Sequence, residues 1–229
     1  MELSSRTQMM SQSFSEVYWS VFVDAGVSPH AITVLLLSLG EFGISDKSNI
    51  TPDQMSKIRE TEFIQAMSVL GLNHEILRFP DTQLRSHFEI IVYELLKLMR
   101  VYDFDEVISF HPAEYTPQID HPDHTAAGAA TREAASFVDV KHKYPELPAP
   151  HRRPGLWLWT TNKHLATHKV NFNKQVQKYW NEYLFKQYPS QFKKNEQKEV
   201  ETNIFKPIFQ KTAQTNKRKS FRTYLTHVR

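Results

Sequence analysis

The chain has 229 residues and no Cys, with 40% hydrophobic and 23% charged residues. Those are the proportions of a folded domain with one sizeable core, and they exclude a disordered polymer, disulfide scaffolds, thiolate zinc fingers and Cys nucleophiles. The formal net charge of +3 hides an asymmetry: from Lys193 to Arg229 there are 10 Lys and Arg against 3 Asp and Glu, or +7, so the remainder carries −4. The basic character therefore belongs to the tail, whose Lys217-Arg218-Lys219 run reads as a solvated end or as a contact for an anionic partner; the core carries no nucleic-acid signal.

No apolar run approaches the ~20 residues of a membrane helix. The strongest, Val34 to Leu37, is four residues long. The start, MELSSRTQMMSQS, has no basic segment leading into an apolar stretch, so no secretory signal is expected and the chain reads as cytoplasmic. Nothing in the pattern specifies an oligomer.

In chain order, Phe14, Val17, Tyr18, Val21 and Phe22 recur at helical spacing, with Gly26 as a stop. Ala31 to Leu39 is apolar almost throughout, as buried parallel strands are. Thr51, Pro52 and Gln54 predict a capped helix start, a face through Met55, Ile58, Ala66 and Leu70 predicts its buried side, and Gly71 predicts its end. Ile76 to Phe79 reads as a short strand ending at Pro80. Leu84, Phe88, Ile91, Leu95 and Leu98 mark a long amphipathic helix, Val107 to Phe110 another buried strand, and Thr125 to Phe137 an Ala-rich helix. Four prolines between Pro145 and Pro154 read as a surface connection. Leu156 to Thr160 is a later strand and Phe172 to Phe185 a later helix. Beyond Lys193 the chain is polar apart from Ile204, Phe205, Ile208 and Phe209.

Strands alternating with helices predict an α/β, Rossmann-like, mostly parallel sheet with helices on both faces. The expected division is an α/β domain over 1–192 and a basic extension over 193–229, part of it helical. Ligands of such sheets bind beyond the carboxyl ends of the strands. That selects the loop Gly40-Glu41-Phe42-Gly43, the Pro80-Asp81 turn, and the loop from His111 to His124. The last ends in His121-Pro122-Asp123-His124, two imidazoles three residues apart where a helix begins. One could bind zinc and the other transfer a proton, with Asp123 orienting a ring; the plainer reading is two surface His beside a helix start capped by Asp123.

Several segments in order carry a family resemblance: Gly40-Glu41-x-Gly43, Arg59-x-x-Glu62-x-x-x-Ala66-x-x-x-Leu70-Gly71, Phe79-Pro80-Asp81-x-x-Leu84, His121-Pro122-Asp123-His124, then Leu156-Trp157-Leu158-Trp159 and Tyr188-Pro189-Ser190-Gln191-Phe192. The stretch from His30 to Gln191 resembles the PIG-L/LmbE-like zinc-dependent N-acetylglucosaminyl deacetylases, with Tyr188 in place of the usual His. The resemblance implies hydrolysis of the acetamide of a small N-acetylated amino-sugar or glycoconjugate, with zinc as cofactor. It implies His124 as a zinc ligand, and His121 as the cationic group at the oxyanion or leaving amine, tuned by Asp123. It implies Glu41, Arg59 and Asp81 as holders of the sugar hydroxyls. From the residues alone, Arg59 equally reads as an ion-pair partner of Glu60 or Glu62, Asp81 as a turn closer and Glu41 as a solvated loop residue.

One departure stands out. The family places an H-P-D-D motif at the end of its first strand, supplying two metal ligands and the general base. This sequence has no Asp-Asp pair, and nothing from Met1 to Gly26 reads as a first strand ending in His. Three readings follow: a chain that begins just past the motif and lacks the first strand, a relative that binds ligand without turnover, or a different metal set such as His111 and Glu114 with His124.

Overall fold

The computed structural model describes residues 2–4, 27–44, 49–112, 121–149, 152–160, 164–165, 167–170, 186–190, 208–211 and 225–227. The helical patterns at 14–22 and 172–185, and Glu114, lie outside them.

Three parallel strands form one ladder: β1 (Glu2–Ser4), β2 (Thr33–Leu36) and β3 (Asn73–Ile76), with Leu3 opposite Leu35 and Leu35 opposite Glu75. A second ladder pairs β4 (Glu106–Phe110) in parallel with β5 (Gly155–Thr160). Beyond β5 come β7 (Ile208–Lys211), β6 (His168–Val170) and β8 (Leu225–His227), all antiparallel to their neighbours. β1 also lies against β4, which gives the doubly wound order 3-2-1-4-5 with its switch point between β1 and β4.

Two expectations change here. The first strand position is occupied, by Glu2–Ser4, although three residues are too few to show as a pattern. The described parts of the extension beyond residue 193 are strands, not helix, and β7 joins the sheet through β5. Antiparallel pairing is the cheap way to extend a parallel sheet at its edge, because no crossover helix is needed.

α1 (Pro52–Leu70) begins as the sequence predicts: Gln54 N–H donates to Thr51 Oγ1 at 3.3 Å, and the Gln54 side chain accepts from Thr51 N–H at 2.9 Å. It ends at Gly71 with a left-handed backbone, φ 66°. Its buried face differs from the expected one. Ile58 is exposed, whereas Arg59 and Glu62 are buried with Met55, Phe63 and Ala66. The third strand also starts earlier than expected. Leu77 and Phe79 still donate to Leu36 and Leu37, but Arg78 has a left-handed backbone that breaks the extended run.

α2 (Phe88–Tyr102) follows a single turn of 3₁₀ helix, Leu84–His87, and α3 (Pro122–Phe137) packs beside it. Successive residues of β2 divide between the two faces of the sheet. Ile32, Leu35 and Leu37 meet α2, α3 and β4, while Val34, Leu36 and Leu39 meet α1 and Tyr188. This two-sided burial explains why the strand is apolar without alternation. α3 approaches β4 closely enough that a Cβ on Gly128 would overlap the Phe110 backbone, so the Ala-rich face and Gly128 together set the depth at which the His121–His124 turn sits.

Candidate functional site

The carboxyl ends of β2, β3 and β4 converge on a network of buried polar groups. It begins just past β2 with Ser38, whose hydroxyl accepts from Gly40 N–H at 3.1 Å. The Gly40–Gly43 turn that follows is clamped from α1: the Arg59 guanidinium donates to the carbonyls of Gly40 and of Gly43, the latter at 2.7 Å. Gly43 gives the clamp room, since a Cβ there would lie 3.0 Å from the guanidinium nitrogens and would press on them. Glu60 pairs with Arg78. Glu62 accepts from Ser190 N–H at 2.8 Å and from its hydroxyl at 2.6 Å. Burial pushes the Glu62 carboxyl above its ordinary range, against the Ser190 hydrogen bonds and the nearby Arg59 charge.

Asp81 is wholly buried. Its carboxylate accepts from Phe42 N–H at 3.1 Å, from Thr82 N–H at 3.0 Å and, at 3.5 Å, from the Ser38 hydroxyl. In return Asp81 N–H donates to Glu41 at 2.8 Å. Asp123 is equally buried and accepts from the same Thr82 N–H at 2.6 Å and from Leu84 N–H at 3.1 Å. Two carboxylates on different elements thus converge on one amide. The residue that carries it, Thr82, has φ 64° and Arg78 has φ 56°, a conformation that is costly for a β-branched side chain and persists only where the surroundings impose it. Such strain around the Pro80-Asp81 turn marks it as a functional candidate by physical criteria.

His121 caps α3: its Nδ1 accepts from Asp123 N–H at 3.3 Å. The cap is therefore His121 and not Asp123, whose side chain reaches across to the 82–84 turn. His124, one turn on, stacks on Phe110 with ring centroids 4.4 Å apart and planes 5° apart; its ring lies 5.4 Å from that of His121. His111, at the end of β4, is buried, and its backbone N–H donates to Trp159.

The structure brings together all six residues singled out from the sequence. Glu41, Arg59, Asp81 and Asp123 make hydrogen bonds to backbone groups of neighbouring loops. Ser38, Thr82 and the Glu62–Ser190 pair belong to the same framework and were not singled out; Glu62 lay inside a quoted motif, but no local spacing connects it to Ser190, 128 residues away. As a zinc centre the donor set does not fit. The Asp123 oxygens are committed to amides, His121 Nδ1 accepts a backbone hydrogen bond, and among the described residues no three His, Asp or Glu side chains are placed to hold a metal. Downstream of β1 the next His, Asp or Glu is Glu16.

This framework sits at the carboxyl ends of a doubly wound α/β sheet. Residues 23–135 match the PIG-L family, described as GlcNAc-PI de-N-acetylase. No curated protein matches the chain. Among solved structures, the N,N′-diacetylchitobiose deacetylase of Pyrococcus horikoshii, complexed with an inhibitor, superposes with a TM-score of 0.70 at 19% identity, over 87% of this chain and 73% of that one. A conserved protein of Thermus thermophilus gives 0.66 at 21%, over 91% and 92%. The 4-carboxy-2-hydroxymuconate hydratase of Pseudomonas putida gives 0.65 at 15%, over 95% and 97%. Teicoplanin deacetylase, in a zinc-inhibited form, shares the fold too. At these identities the likeness is one of fold. Among the described residues no helix is long and apolar enough to cross a membrane.

Proposed function

We infer that the chain has a deacetylase-type function, a reading supported by the PIG-L match over residues 23–135 and by the deacetylases among the fold neighbours. We propose that the crevice at the carboxyl ends of β2, β3 and β4 recognises an N-acetylated amino-sugar or small glycoconjugate in the cytoplasm, and that hydrolysis of its acetamide is the reaction of the class. The observation that carries this reading is the placement of His121 and His124 at the start of α3, locked by Asp123 to the strained turn that presents Asp81. Imidazoles held that rigidly at a switch point suit proton transfer and polar recognition. Zinc-dependent turnover requires metal ligands from outside the described residues.

A second reading is a sugar-binding relative without turnover. The donor set favours it, because two imidazoles cannot hold an open catalytic zinc, which takes three protein ligands. One experiment separates the two. The purified chain is dialysed against a weak chelator, given one equivalent of zinc and desalted. Bound zinc is then measured, with acetate release and calorimetric binding of N,N′-diacetylchitobiose. About one zinc per chain with acetate release supports the deacetylase. Saturable sugar binding with neither zinc nor acetate supports the binding protein. No zinc, no acetate and no sugar binding refutes both.

A further inference from the structure

We propose that the first turn of α3 holds His121 as a neutral imidazole with its proton on Nε2, so that the ring is a fixed hydrogen-bond donor to an acceptor oxygen of the ligand and not a base. For the ligand the inference rests on the amino-sugar reading; for the ring it rests on geometry alone. Pro122 opens α3 and has no N–H, so Asp123 carries the first main-chain amide of the helix that needs an acceptor. His121 Nδ1 accepts from it at 3.3 Å, with the His121 backbone extended (φ −97°, ψ 131°). The amide can only donate, so Nδ1 keeps its lone pair and the proton of the neutral ring is on Nε2. A proton on Nδ1 would set two N–H groups against each other at the positive end of a helix of 16 residues.

The same geometry changes the part of Asp123. The resemblance implies a carboxylate acting on His121, but the Asp123 oxygens accept from the amides of Thr82 and Leu84, at 2.6 and 3.1 Å. The carboxylate ties the helix start to the 82–84 turn, while the Asp123 main-chain N–H sets the tautomer of the ring. Asp123 is thus a positioning residue for His121. His124 N–H completes the turn by donating to the His121 carbonyl at 2.8 Å. The bonding directions of Nδ1 and Nε2 diverge across the five-membered ring, so with Nδ1 on the helix amide the Nε2–H is directed away from it. Of the two tasks that suit an imidazole here, His121 takes recognition, and the abstraction of a proton falls to another group.

Nitrogen NMR of the chain carrying isotope-labelled histidine tests this, after dialysis against a strong chelator so that no metal competes for a ring nitrogen. The spectrum is taken at about pH 8.5, where an imidazole of ordinary pKa is neutral, and the His121 signals are assigned by their loss in His121→Gln. The expected result is a bare Nδ1 and a protonated Nε2, unchanged in Asp123→Asn, which keeps the main-chain amide. A proton on Nδ1, on both nitrogens, or shared between tautomers overturns the proposal, as does a folded Asp123→Asn whose tautomer is exchanged. If Asp123→Asn does not fold, the spectrum of the natural chain decides alone. Calorimetry with N,N′-diacetylchitobiose tests the donor: His121→Ala should weaken binding about 2- to 10-fold, and His121→Gln, which keeps an N–H donor at similar reach, should recover most of the loss. Equal losses in the two variants overturn the donor role. Failure of the natural chain to bind the sugar overturns the amino-sugar reading, while the tautomer still stands or falls by its own spectrum.

Discussion

Arg100 offers the sharpest test of how the site-bearing helix is held. It lies in the last turn of α2 and is 1% exposed, yet no carboxylate pairs with it in the described hydrogen bonds. Its guanidinium instead donates to the carbonyls of Phe137, Val138, Val140, Lys143 and Tyr144, at 2.9–3.3 Å. Phe137 and Val138 end α3, whose own last turn has no basic residue. Arg100 thus supplies from a neighbouring helix both the cation that the C-terminal dipole favours and the donors that the terminal carbonyls lack. Arg100→Met keeps the apolar stem and leaves five acceptors to find water. A buried acceptor left without its donor costs about 1–3 kcal/mol, and several carbonyls lose theirs at once. For a domain of this size about 4 kcal/mol corresponds to a fall of roughly 8–16 °C in the unfolding midpoint. Arg100→Lys keeps the charge but has only three donors on a point ammonium, and should lose about half as much. Thermal unfolding followed by circular dichroism measures both. A fall of less than about 3 °C in Arg100→Met, or equal losses in the two variants, would refute the reasoning.

Two further predictions concern the framework. Glu62 is raised above its ordinary 4.5, so the folded state binds its proton more tightly than the unfolded chain does. Its contribution to stability is then fully present below about pH 4.5 and declines as pH rises through the folded value. Glu62→Gln can still accept from Ser190 N–H and carries no charge. The midpoint difference between the natural chain and this variant should shift against the natural chain between pH 4.5 and 8, and a pH-independent difference counts against the assignment. Thr82 pays strain for its left-handed backbone, and Asn tolerates that region better than a β-branched residue. Thr82→Asn should raise the midpoint by a few degrees, about 1 kcal/mol; a lower midpoint in the same melt would show that the threonine methyl or hydroxyl has a role of its own.

How much of this could be read from the sequence depended on how local the cause was. Thr51, Pro52, Gln54 and Gly71 delimit α1 because capping acts within a single turn. The unbroken apolar run of β2 announced a strand covered on both faces, as the division of its side chains between two clusters bears out. Local reasoning misplaced Ile58 and Arg59 for the converse reason. Periodicity assigns the apolar residue to the core, but the Gly40–Gly43 turn offers Arg59 two carbonyls, and Arg59 is buried against them while Ile58 is exposed. The β1 strand is only three residues long and is held by pairing with β2 and by packing against β4, so it left no pattern of its own. The convergence of Asp81 and Asp123 on Thr82 joins residues about 40 positions apart; no spacing rule connects them.

The same contrast explains how a sequence without H-P-D-D retains so clear a family resemblance. Gly40, Gly43, Arg59, Glu62, Asp81 and Asp123 carry most of the quoted motifs, and each acts here on backbone or on another loop. Their shared task is to build three loops at the carboxyl end of a sheet and hold them in register. That task is the same whatever reaction is performed above it, consistent with the fold being shared by deacetylases and by a hydratase. Motifs of this kind report the scaffold, and chemistry must be argued from the groups the scaffold presents. In this chain those are His121 and His124 at the head of α3. A measurement of ligand binding at these groups is therefore more informative about function than further likeness in the framework.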